Sequence, residues 1–497
     1  MLTQPSSHAL WTAVTAVGYF FYMYRKYAAG YALAAITVAQ LMVALDMAVV
    51  NVALPAIRGD LGFAAADLSW VVHIYALTFG GFLLLGGRAG DLFGRRRLFL
   101  LGSAGFALAS LAGGLAQQPW QLVAARAAQG VAAAAVAPAT LAMLTILFPH
   151  GRARVRAFGL WSAANGAGGA LGVLLGGVLT EYAGWRWVML INLPIAAIVL
   201  VLGTLGVPAD HRDGQRKPLD AAGSITATLG VGLLVLAVVR TDHVGWFAPI
   251  TLVTAAGALV LLAAFVLIER RTAVPLVRLE MLRNRWVAGA DIFVALAAAG
   301  QFAAFYFVSL YMQQVLGMSA AATGVAFVPF SAGVLVGTAM ATRLGVRRSP
   351  RTLLIPGALA AAVGLGWFAL LDSHGAFWTD VLGPSLITSI GFGLCLAPLA
   401  AAATTDVAPT EAGMASGLMN SARQIGGAMG LAALATVAAQ HTGTDTSPES
   451  LTAGYVVGLS AGAVLLVAAA IVAAVVLPRR AAADSVSIPA PTPVGAE

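Results

Sequence analysis

The sequence predicts an all-α polytopic membrane protein of fourteen crossings, two six-helix halves with two additional central helices between them. Three observations lead there. Hydrophobic residues make up 60% of the 497-residue chain and charged residues only 10%, against about 25% in soluble domains. Apolar runs of about 20 residues, enough to cross a hydrocarbon core, recur between charged or Pro/Gly-rich breaks. The basic residues, finally, alternate between sides. This composition excludes the soluble enzymes as a class.

The runs fall at about 31–54, 68–88, 97–117, 120–148, 156–181 and 187–207 in the first half, then at 219–240 and 249–268. Six more follow at about 286–311, 321–343, 351–371, 377–403, 411–440 and 452–477. Domains follow from these runs. Residues 1–26 are an N-terminal segment expected to be interfacial or disordered, because the apolar stretch Ala9–Tyr24 lacks the basic leader and cleavage site of a signal peptide. Residues 27–207 form the N-terminal bundle, 208–285 a linker with two extra helices, and 286–477 the C-terminal bundle. The Ala/Pro/Ser-rich tail, 478–497, reads as disordered and cytoplasmic.

Orientation comes from the 28 Lys and Arg residues, of which twenty-three lie on one side, three on the other and two inside spans. That asymmetry puts both termini in the cytoplasm of a cell (cytoplasmic) membrane protein. The formal charge of +8 is therefore a topology signal and not a nucleic-acid footprint. A single cysteine and scattered histidines predict no disulfide, no metal and no cofactor. The partners expected are the bilayer, protons and a small amphipathic molecule, with the chain monomeric.

Spans one and four carry deep charges at matching depth. Asp46 lies within Leu45-Asp46-Met47-Ala48-Val49-Val50-Asn51, and a carboxylate at a helix centre costs roughly 2.5–3.5 kcal/mol even on lenient insertion scales. It sits roughly 12 Å from the arginine-poor end of span one, and Arg126 roughly 9–10 Å from that end of span four. The depths match, so a pair is geometrically possible. Its protonation would be a local charge change able to bias a two-state element. Without a G-x-x-x-x-G-K-[ST] motif, an ion gradient is the expected energy source rather than ATP. Asp291, about five residues into span nine, and Asp220, opening span seven, read as solvated helix-start carboxylates. Gln40, Asn51, Tyr75, Asn165, Gln301, Phe305, Tyr306 and Arg423 are the polar and aromatic candidates for a substrate cavity.

The loop Gly87-Arg88-Ala89-Gly90-Asp91-Leu92-Phe93-Gly94-Arg95-Arg96 resembles the loop 2–3 signature of the major facilitator superfamily, with a weak echo at Arg343-Leu344-Gly345-Val346-Arg347-Arg348. Further segments resemble its fourteen-helix drug:proton antiporters: the Asp46 stretch, Arg126-Ala127-Ala128-Gln129-Gly130, Trp185-Arg186-Trp187 with Ile191-Asn192-Leu193-Pro194, and Asn420-Ser421-Ala422-Arg423-Gln424. The resemblance covers about residues 27–477. It implies the major facilitator fold, proton-coupled export of drugs, antibiotics or toxic compounds, and proton coupling through Asp46 and Arg126. It also implies a gating role for Gly87, Asp91, Gly94, Arg95 and Arg96. Span five departs from the family's antiporter motif. Gly172, Gly176 and Gly177 are in place, but Val173 stands where a proline is expected, which bears on how tightly antiport is coupled. Export of an endogenous lipid or metabolite would use the same fold. A membrane-embedded enzyme or a sensor fits poorly, because one deep Asp and two deep Arg make a poor catalytic set and no loop is long enough for a soluble domain.

Overall fold

Among the residues described by the computed structural model (7–64, 67–148, 151–208, 220–272, 275, 278–345, 348–407, 412–443, 445 and 447–479), sixteen α-helices and no strand are present. The side chains of 7–27 and of Asp91 lie outside that description, as does the tail from residue 480.

The N-terminal half comprises α1 (Ser7–Leu61), α2 (Trp70–Phe93), α3 (Arg95–Gly114), α4 (Pro119–Leu147), α5 (Gly151–Tyr182), α6 (Arg186–Leu190) and α7 (Asn192–Gly206). The insert is α8 (Ala221–Val244) and α9 (Pro249–Arg271). The C-terminal half comprises α10 (Arg285–Leu310), α11 (Ala320–Ala326), α12 (Val328–Gly345), α13 (Pro350–Trp367), α14 (Leu382–Thr404), α15 (Ala412–Thr442) and α16 (Pro448–Val475). Each of the fourteen predicted spans falls on one long helix or on a short helix and its successor, the latter at α6–α7 and α11–α12. The segment before residue 27 is helical from Ser7, in one piece with α1.

Helix starts follow local chemistry. Pro119, Pro249, Pro350 and Pro448 open α4, α9, α13 and α16, where a missing N–H costs nothing. The side chains of Asn284 and Ser447 accept from the Trp286 and Ser450 amides at 2.9 and 3.3 Å. Gly94 alone separates α2 from α3, at φ 98°, a conformation that side chains with a Cβ rarely adopt.

Among the described residues, eleven spans are long and apolar enough to cross a membrane, and the described parts of α2 and α8 carry apolar stretches over Asp67–Leu83 and Ile225–Val238. The more polar α15 completes the set, holding Asn420, Arg423 and Gln424. Helices α2, α8 and α15 pack on one another. Leu77, Val235 and Ala432 form the buried seam between them.

The halves are built alike. In the first, α1 packs on α5 and α7, and α4 on α2 and α3; in the second, α10 packs on α15 and α16, and α14 on α12 and α13. Between halves, α2 meets α15 and α5 meets α11. Glycine sets both close approaches along α5. A Cβ on Gly172 would lie 2.6 Å from the Leu45 carbonyl oxygen, and one on Gly176 would strike that of Val49. Gly177 gives the same clearance to Ala320 across the halves. Through Val173, α5 runs unbroken and buried.

Near the arginine-poor end three hydrogen bonds join the halves. Ser309 Oγ donates to the Asn51 carbonyl (3.2 Å), Gln313 Nε2 to the Val52 carbonyl (3.1 Å), and the Ala321 amide to Glu181 Oε2 (2.8 Å). Pro55 lies inside α1. Having no N–H, it leaves the Asn51 carbonyl without its i+4 helical donor, and Ser309 takes that place.

Candidate functional site

Asp46 and Arg126 meet. The Arg126 Nη1 donates to Asp46 Oδ2 at 2.5 Å, with the two side chains 0% and 1% exposed. Two buried charges tolerate such dryness only if the pair is close and the remaining lone pairs and protons are satisfied. Here they are. Asp46 Oδ1 accepts from Gln129 Nε2 (3.0 Å) and Asn192 Nδ2 (2.8 Å). Arg126 Nε donates to the Val71 carbonyl (3.0 Å) and Nη1 also to Gln129 Oε1 (2.9 Å), while its guanidinium lies 4.2 Å over the Tyr75 ring. Gln129 Nε2 reaches Ser110 Oγ at 2.7 Å.

One carboxylate therefore gathers α1, α2, α3, α4 and α7. Each residue's place follows from its helix. Arg126 and Gln129 are three apart on α4 and share a face, and Asn192 is the first residue of α7, beyond the break from α6. Gly130, beside them, lets α4 close on α2: its Cβ would lie 2.5 Å from the Tyr75 carbonyl.

Several cavity candidates lie elsewhere than the sequence suggested. Gln40 donates to Asn165 Oδ1 at 2.8 Å and clamps α1 to α5. Asn51 bonds back to the Met47 carbonyl at 3.1 Å and sits in the junction between halves. Tyr75 belongs to the charge network, and Tyr306 is buried edge-on to Phe307. The reason is common: in a bundle apolar on every face, helix seams are the only dry sites offering polar partners. Phe305, half-buried, stacks on Phe327 with centroids 5.4 Å apart and meets Phe330 edge-on at 4.9 Å. Gln301 is half-buried one turn before it on the same helix.

In the gating loop, Arg96 Nη2 donates to the Thr204 carbonyl at the end of α7 (3.0 Å), and Gly87 lies against Pro138. Arg95 is half-buried, and the role expected of Asp91 falls on a side chain outside the described residues. Asp220 caps α8 through the Gly223 amide (2.8 Å) but is only 5% exposed. Asp291 is not solvated: it is 8% exposed and neither carboxylate oxygen has a partner among the described residues. Gln129, Asn192 and Ser110 were missed as site residues. Gln129 and Asn192 lie in segments that carry the family resemblance, and Ser110 has no signal beyond its place in span three.

Comparison with known proteins now decides the family. The model described as Major Facilitator Superfamily matches residues 36–431. The chain belongs to that superfamily. It is a multi-pass membrane transporter and not an enzyme, with the major facilitator fold. The puromycin resistance protein pur8 of Streptomyces alboniger is 40% identical over 474 residues, covering 93% of this chain and 94% of that one. The cephamycin export protein CmcT of Amycolatopsis lactamdurans is 44% identical over 420 residues, 84% and 86% of the two chains. The fold is shared with a bacterial homologue of the human lysosomal transporter Spinster, solved inward-facing and unoccupied (TM-score 0.62, 17% identity, 90% and 96% coverage).

Proposed function

We propose that this transporter exports an amphipathic antibiotic or related toxic compound across the cytoplasmic membrane in exchange for protons, by alternating access, as a monomer. The observation that carries the reading is the dry Asp46–Arg126–Gln129–Asn192 network. A carboxylate holding five helical elements through three donors is an element whose protonation changes packing as well as charge. The relatives named for puromycin resistance and cephamycin export supply the substrate class.

With the arginine-rich side cytoplasmic, the three bonds joining the halves close the outer end. Asp46 lies five residues before Asn51 on α1, roughly 7–8 Å along the axis. Switch and closure therefore share one rod. Protonating Asp46 removes the anion facing Arg126. The freed guanidinium still holds the Val71 carbonyl of α2, the helix that packs on α15 of the other half. Proton binding thus acts on α1, which bonds to α10 of the other half, and on α2, which packs on α15.

Inverted membrane vesicles with an imposed pH gradient test the reading, using puromycin, a cephamycin and a panel of amphipathic compounds. Wild type accumulates at least one of them, and Asp46→Asn, inserted to the same level, does not. Equal uptake by the variant would remove Asp46 as the coupling site.

A further inference from the structure

The C-terminal half holds two charges of opposite sign that do not touch. Asp291 on α10 is 8% exposed with both carboxylate oxygens bare. Arg423 on α15 is half-buried and makes no hydrogen bond or ion pair among the described residues. Both belong to one seam. A Cβ on Gly426 would lie 2.6 Å from the Ala295 Cβ, one on Gly430 2.8 Å from the Ala299 Cα, and one on Gly427 2.8 Å from the Phe302 ring. These contacts make α10 and α15 parallel neighbours in fixed register. Arg423 shares its helix face with Gly426, Gly427 and Gly430, at spacings of three, four and seven. Asp291 shares its face with Ala295, Ala298 and Phe302 by the same rule. One turn before the glycine contact, the two residues therefore stand at the same level of facing surfaces.

An ionised carboxylate with no donor and almost no water is too costly to persist, so the group is neutralised or paired. No partner stands near in this conformation. Other ionisable groups on the surrounding elements offer none. The Cys395 thiol on α14 is directed toward the Leu354 carbonyl (3.8 Å), and α16 carries no ionisable group between Tyr455 and Arg479. Arg285 is engaged with the Val475 carbonyl, and Arg351 of α13 with those of Leu477 and Ala474. Glu280 and Arg283, in the turn before α10, are exposed. On α1, Asp46 is committed within the other half.

We propose that Asp291 is a second proton-binding site, carried by the C-terminal half, neutral in this conformation and paired with Arg423 across the α10–α15 seam when it ionises. The proton leaves to water at the arginine-rich end, roughly 9 Å away for a residue in the second turn of α10. The carboxylate left behind takes Arg423 as its counter-ion. Nothing in this step requires Asp46 or a particular substrate, so it stands apart from the export reading.

Infrared pH-difference spectroscopy on the purified protein without substrate tests it, through the C=O band of a protonated carboxyl group. Wild type shows a titrating band that Asp291→Asn removes and Asp46→Asn keeps. Asp291→Glu, which retains the acid, displaces the band. Arg423→Gln moves the pH at which the band vanishes by about one unit or more, and Arg423→Lys restores it. A band set unchanged in Asp291→Asn would overturn the site. If Asp291→Asn removes the band but Arg423→Gln leaves its midpoint in place, the pairing is overturned.

Discussion

The two halves share a scaffold and differ in how they treat charge. In the N-terminal half the acid on α1 is locked to Arg126 and two amides; in the C-terminal half the acid on α10, the matching helix, stands bare opposite an idle arginine. Farther along α10 the C-terminal half presents the aromatic group Phe305, Phe327 and Phe330. The difference teaches that the repeat fixes packing and leaves chemistry free. Glycine seams recur in both halves, at Gly172 and Gly176 and again at Gly426 and Gly430, while the acid on the matching helix is wired in one half and bare in the other.

The largest expected effect breaks the wired half. Arg126→Leu leaves Asp46 buried and uncompensated, at a cost of about 3–5 kcal/mol, read as a lowered unfolding temperature in detergent. The double variant Asp46→Leu/Arg126→Leu recovers most of that loss. In the open half, Asp291→Asn leaves the unfolding temperature unchanged or raises it, because no partner is stranded. Equal destabilisation by Arg126→Leu and Asp291→Asn would erase the contrast.

Next in size is Gly172→Val, which pushes α5 off α1 and costs about 1–3 kcal/mol; Gly426→Val tests the matching seam between α10 and α15. Gln129→Leu follows. It strands Ser110 Oγ and one lone pair of Asp46, costs about 1–3 kcal/mol, and with half of that on coupling lowers gradient-driven uptake about two- to tenfold. The smallest effect belongs to the closure. Pro55→Ala returns an N–H to the Asn51 carbonyl, competes with Ser309, and shifts the balance by about 0.5–1.5 kcal/mol toward opening at the arginine-poor end. Distances between spin labels on α1 and α10 report that shift.

Much of this was legible in the chain. Long apolar runs name spans whatever their packing, and two deep charges at matched depth name a pair. The neutral members of the network were not legible, because an amide in a span looks the same whether it holds a carboxylate or its own helix. Gln40 and Asn165 pair across 125 residues of sequence, a relation no local pattern encodes. Asp291 misled for the opposite reason. A carboxylate in the second turn of a helix usually faces water, and the packing of neighbouring helices on α10 makes this one dry.

Pro55 has a consequence for how such a protein varies over time. Two of the three bonds closing the halves end on main-chain oxygens, at Asn51 and Val52, and one of these is exposed by the proline. An acceptor that belongs to the backbone survives any change of side chain at its own position. Selection can therefore rewrite residues 51 and 52 to suit a new cargo while the closure persists, so long as the proline four residues on stays in place.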